Sequence, residues 1–168
     1  MEGLIEIITD VWEQGFLGIG MTEIIVSMLI LIVGAISRAF FVGRVLKWLE
    51  NLTAHTDSEI DDVLLESLKK PLGYIPMTVA LYFITVYLPL TGMADAFATN
   101  LVKAMIAFTI FSALANSVAP IFQVFTSTAM LTRSMTMWLE RAARIIIWII
   151  GLGIILDIFG IQIGPLVA

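Results

Sequence analysis

The sequence predicts an all-α integral membrane protein with four transmembrane helices, an N-terminal interfacial helix and a short cytoplasmic amphipathic helix. Three observations predict it. Of 168 residues, 60% are hydrophobic and 14% charged, giving a mean hydropathy of +1.01, which lies outside the range of soluble domains. The apolar residues fall into four runs, each close to the roughly 20 residues a helix needs to cross about 30 Å of hydrocarbon. Lysine and arginine gather around alternate connections between those runs.

The N-terminal stretch, residues 1–19, places Leu4, Ile5, Ile8, Val11, Trp12 and Phe16 along one helical stripe, with Glu2, Glu6, Asp10 and Glu13 opposite. That pattern suits a helix lying in the membrane interface. No basic n-region or cleavage site marks it as a secretory signal, so it is expected to stay in the mature protein. Residues 20–168 then form the membrane domain, with spans at about 24–46, 72–90, 104–125 and 139–159. Pro71 opens the second span and Pro89 closes it. Ser112, Asn116, Ser117, Pro120 and Gln123 soften the third.

Between the first two spans, "TAHTDSEIDDVLLESLKKPLGYI" reads as a defined helix. Thr56 and Glu59 have capping-box spacing, and Asp57, Glu59, Asp61 and Asp62 sit near the positive end of the dipole. Lys69 and Lys70 lie at the opposite end, just before Pro71. Ile60, Val63, Leu64 and Leu68 make an apolar stripe for the inner membrane surface or a neighbouring subunit.

Orientation follows from the basic residues, which stay on the cytoplasmic side of short loops. Arg38, Arg44, Lys47, Lys69 and Lys70 bracket the first connection, and Arg133, Arg141 and Arg144 bracket the third. Glu23, Asp95 and Asp157 fall at the other ends, with Lys103 the lone basic residue near them. Both ends of this chain are therefore expected outside a plasma membrane.

Several function classes are disfavoured. A net charge of -5 without a basic stripe argues against nucleic acid as a partner. There is no cysteine and one histidine, His55, and neither HExxH nor GxSxG occurs, so no enzyme, cofactor or metal centre is expected. Asp57, Asp61 and Asp62 lack the glycine turn and spacing of a calcium loop, and read as helix capping. All four predicted spans keep their central turns free of charge, which argues against an ion-coupled carrier.

The remaining polar residues have paired readings. Arg133, Arg141 and Arg144 are positive-inside anchors or specific lipid-headgroup contacts; Arg141 and Arg144, one turn apart, can snorkel together. Asp157 and Gln162 flank the outer end of the last span, either as hydrated interfacial groups or, with several copies around an axis, as the rim of a pore. Pro120 offers a kink, though proline in membrane helices is often structural. Gly151 and Gly153 permit close helix approach, and Asn116 and Gln123 offer hydrogen bonds across helices.

Two stretches carry a resemblance to the transmembrane part of the small-conductance mechanosensitive channel family (MscS-type). "TDSEIDDVLLESLKKPLGYI" is similar to that family's acidic, Asp-Asp-containing helix followed by Pro-Leu at the next span. "ARIIIWIIGLGIILDIFGIQIGPLVA" is similar to its last peripheral helix, outer glycine turn and the first residues of a pore helix. The resemblance covers the chain from about Gly20 onward. It implies the tension-sensing transmembrane portion of a channel that releases small ions and osmolytes, in a prokaryotic plasma membrane, with membrane lipids as partners and a homo-oligomer, a heptamer in that family. The spans at 104–125 and 139–159 would form its tension-responsive paddle. It also implies that an Ala/Gly-rich pore helix would begin near Ala168, where this sequence stops. The rival readings are a self-contained tetraspan accessory or scaffold protein, and a small oligomeric transporter using Ser112, Asn116 and Gln123.

Overall fold

The computed structural model describes residues 19–53, 59–127 and 132–161. Among these the elements are all helical: α1 (Met21–Thr53), α2 (Glu59–Leu72), α3 (Ile75–Tyr87), α4 (Met93–Ser127) and α5 (Arg133–Ile158). The N-terminal interfacial segment, His55, Thr56, Asp57 and Gln162 lie outside the described residues.

Two helices contain segments long and apolar enough to cross a membrane, Met21–Leu49 within α1 and Met93–Gln123 within α4. The other two predicted spans have a different build. At 13 residues, α3 rises only about 20 Å. Although α5 has 26 residues, Arg133, Glu140, Arg141 and Arg144 occupy its first half and Asp157 its end. The charge-free stretch from Ile145 to Leu156 rises only about 18 Å.

Local chemistry sets these limits. Pro71 closes α2 and Pro76 occupies the first turn of α3, where its missing N–H is no loss. Across the break the amides stay satisfied: the Gly73 N–H donates to the carbonyls of Lys69 and Lys70, and the Tyr74 N–H to that of Pro71. The Thr78 N–H and hydroxyl both donate to the Tyr74 carbonyl at 2.9 Å. Beyond α3, Leu88 is extended, Pro89 follows, and Gly92 takes φ +62 before α4 starts. This short turn makes α3 and α4 antiparallel neighbours and starts α4 at Met93, well before the predicted 104. At the far end, Gly160 has φ +80, and the Ile161 and Gly160 amides donate to the carbonyls of Leu156 and Asp157. That double bond is a Schellman stop, which terminates α5.

The helices form a row rather than a closed bundle. The central member, α4, packs against α5 on one side and against α2 and α3 on the other, while α1 packs on α3 and α2. No substantial contact joins α1 to α5 among the described residues. Two glycines set the closest approaches. A Cβ on Gly34 would lie 2.5 Å from the Ala80 Cβ, and one on Gly151 would lie 2.7 Å from Cγ of Phe111. The expectation of close packing at Gly151 is thus met between α4 and α5.

The covered face of the amphipathic α2 overlaps the predicted stripe at Leu64 and Leu68 and leaves Val63 out; the Ile60 side chain lies outside the described residues. Leu65 and Pro71 are buried, Leu64 and Leu68 half-buried, and Val63 exposed. This face lies largely against α4 of the same chain.

Gly151→Val should be destabilising by about 1–3 kcal/mol through overpacking at Phe111, whereas Gly43→Val, at a glycine with open space around it, should cost less than half as much. Denaturation in mixed micelles followed by circular dichroism measures both.

Candidate functional site

The break between α2 and α3 is the start of a chain of side chains that crosses the row. The Tyr74 ring meets Phe108 of α4 edge-on at 5.2 Å, and Phe108 meets Trp148 of α5 at 5.5 Å. From the other side, the Arg38 guanidinium of α1 stands 5.8 Å from the centre of the Tyr74 ring. Gly73, buried, makes room for it, since a Cβ there would lie 2.5 Å from Nε of Arg38. Aromatic pairs of this kind contribute about 0.5–1.5 kcal/mol beyond burial, and an exposed cation–π contact about 0.5–1 kcal/mol.

Charges are ordered about this crossbar. Lys69 and Lys70 end α2 just before it, Arg38 is part of it, and Arg144 and Arg141 precede Trp148 by about one and two turns. At the other end of the row, Phe97 and Phe159 meet at 5.8 Å, beside Asp95 and Asp157. Eleven residues of α4 separate Phe97 from Phe108, a rise of about 17 Å. A basic level and an acidic level therefore bound a thin apolar layer. The remainder of α4 beyond Phe108 runs alongside α2.

Each predicted site residue within the described segments has a definite place. Arg133, Arg141 and Arg144 are exposed on α5, and Arg144 Nη2 donates to Glu140 Oε1 at 2.8 Å, so Arg144 is already paired within its helix. Asp157 is exposed near the acidic end. Pro120 is buried within α4, which continues past it to Ser127. Asn116 does not reach another helix in the contacts observed: its Nδ2 donates to the Ser112 carbonyl at 2.7 Å and to the Ser112 hydroxyl at 3.3 Å. The Ser117 hydroxyl likewise donates to the Ala113 carbonyl. These donors thus bond within α4, to groups one turn back. Among the described residues no cluster of three His, Asp or Glu side chains is placed to hold a metal ion.

Two features are absent from the sequence reading. One is a groove of about 1080 Å³ between α1 and α3, walled by apolar side chains including Val33, Phe40, Val79 and Phe83, with Arg44 and Ser37 toward one end. The other is the position of Lys103. Because α4 starts at Met93, this exposed lysine falls between the Phe97 and Phe108 levels and carries no ion pair among the described residues. Lys103 lies toward the N-terminal end of Met93–Gln123, outside its central turns; the cue to its place within the helix was Gly92, the turn residue that lets the helix begin early.

No family model, curated protein or solved structure matches the chain.

If the crossbar ties the row together, Phe108→Ala and Trp148→Ala should be non-additive by about 0.5–1.5 kcal/mol in a double-mutant cycle. Additive losses in micelle denaturation would show that the rings merely touch.

Proposed function

We propose that this chain is the transmembrane sensor portion of a mechanosensitive channel, in which membrane tension changes the packing of α1 against α2 and α3 and so biases a pore that releases small ions and osmolytes. In this reading α1, α3, α4 and α5 are four spans, with the basic level cytoplasmic, the acidic level outside, and no catalysis or cofactor involved. Copies of the chain assemble around a common axis, in line with the MscS-type resemblance, and Asp157 and Gln162 stand near the outer rim. Arg133, Arg141 and Arg144 contact lipid headgroups.

One observation carries the proposal: only 11% of the most apolar stretch of α1 is buried, and beside its close contact with α3 at Gly34 an open apolar groove runs between the two helices. Tension stabilises whichever state occupies more membrane area, so a loosely seated outer helix is a mechanical coordinate. The thin layer between the charged levels adds a second coupling. Helices whose apolar length is shorter than the local hydrocarbon are favoured when tension thins the bilayer.

The same uncovered surface of α1 supports the accessory-subunit reading, in which another membrane protein covers it. The two readings differ in their response to force. As the chain contains no cysteine, spin labels can be placed at Val33→Cys and Phe83→Cys, across the groove, without background. Reconstituted protein should show a lengthened or broadened label distance when lysophosphatidylcholine is added to one leaflet, and suction on the same liposomes should evoke currents where the copies complete a pore. An unchanged distance distribution under both treatments would overturn the sensor reading in favour of a scaffold.

A further inference from the structure

We infer that the pocket between α1 and the end of α2 holds the phosphate of an anionic phospholipid, with Arg38 and Lys70 as its ligands. The pocket, about 350 Å³, is lined by Ala35, Arg38, Ala39, Val42, Lys69 and Lys70. Three exposed cations thus border one shallow, open recess, and no acidic side chain lines it.

The cations differ in their engagement. Lys69 is paired with Glu66 of its own helix. Arg38 and Lys70 are exposed and form no ion pair among the described residues. The aromatic face of Tyr74 and the space left by Gly73 hold the Arg38 guanidinium in place. A planar fork fixed in this way loses little freedom when it binds a phosphate. Lys69 and Lys70 also offset the negative carbonyl end of α2, which would otherwise repel an anion.

The wall of the pocket favours a lipid over a free ion. Ala35 and Ala39 lie on one helical stripe with Ile32 and Met28, which are 47% and 61% exposed and lead from the pocket toward the acidic end of the row. An acyl chain can follow that stripe while its phosphate remains with the cations. The small side chains at positions 35 and 39 let the headgroup approach the α1 backbone. This inference rests on the membrane placement in the proposed function, but requires neither tension sensing nor a pore.

The test uses the full chain in neutral detergent, with lipid retention read by native mass spectrometry. Phosphatidylglycerol should be retained about tenfold or more over phosphatidylcholine, and Arg38→Gln/Lys70→Gln should remove that preference, as expected for the loss of two charge-assisted contacts. Lys47→Gln/Lys103→Gln, which removes the same charge outside the pocket, should preserve it. Gly73→Ala, which displaces the guanidinium without changing charge, should weaken retention, and Lys70→Arg should maintain it. Should the double variant fail to fold, Gly73→Ala and Lys70→Gln decide the matter. Equal retention of both lipids, or equal loss in the Lys47/Lys103 control, would overturn the site. Displacement of phosphatidylglycerol by millimolar inorganic phosphate would assign the pocket to a soluble anion and overturn the lipid. A lipid result of either sign leaves the label-distance experiment across the groove independent.

Discussion

The break at Gly73 and Tyr74 is the constraint on which the rest of the molecule depends. Without it, residues 59–87 would form one rod, charged at one end and apolar at the other. With it, α2 and α3 take separate tilts while both lie along α4. Tyr74 is left at the joint, where its ring meets Phe108, and Gly73 leaves the gap into which Arg38 extends. One glycine without a side chain and one aromatic thereby align α1, α4 and α5 at a common level. Pro71 and Pro76 hold the joint in place, because neither can donate the amide that a continuous helix would use.

The second governing fact is that the row does not close. In water an open row of helices would expose too much apolar surface to persist. In the proposed membrane placement, hydrocarbon would solvate that surface about as well as another helix would, and contacts would depend on close packing instead. The close packing is concentrated where it is affordable: at Gly34 against Ala80 and at Gly151 against Phe111. Beside the Gly34 contact, α1 and α3 leave an apolar groove. Lys103 is the costly exception in the layer, and its aliphatic stem gives it a route toward an interface by snorkelling.

Much of the organisation was legible from composition. Pro89 and Gly160 marked real helix ends, and Gly151 a real close contact. Lys69 and Lys70 marked the end of α2. The limits of α4 were less legible, because hydropathy alone cannot tell where a helix starts once polar residues such as Asn100 and Lys103 precede the apolar run. The face of α2 was legible to within a residue: periodicity included Leu64 and Leu68, and the structure covers Leu65 where the pattern offered Val63. Asn116 looked like a contact across helices because a sequence shows donors without showing that the carbonyl one turn back is nearer.

What the sequence by itself determined was the all-helical class, the apolar character of α1 and α4, and the segregation of basic from acidic residues. Each follows from local periodicity, backbone hydrogen bonding or the cost of placing charge in hydrocarbon. Only the tertiary structure decided which residues share a level. The Arg38–Tyr74–Phe108–Trp148 chain joins positions far apart in sequence, and its partners are chosen by helix roll and tilt. These depend on small shape differences at Gly34, Gly73 and Gly151, and no single-helix pattern contains the surface of its neighbour.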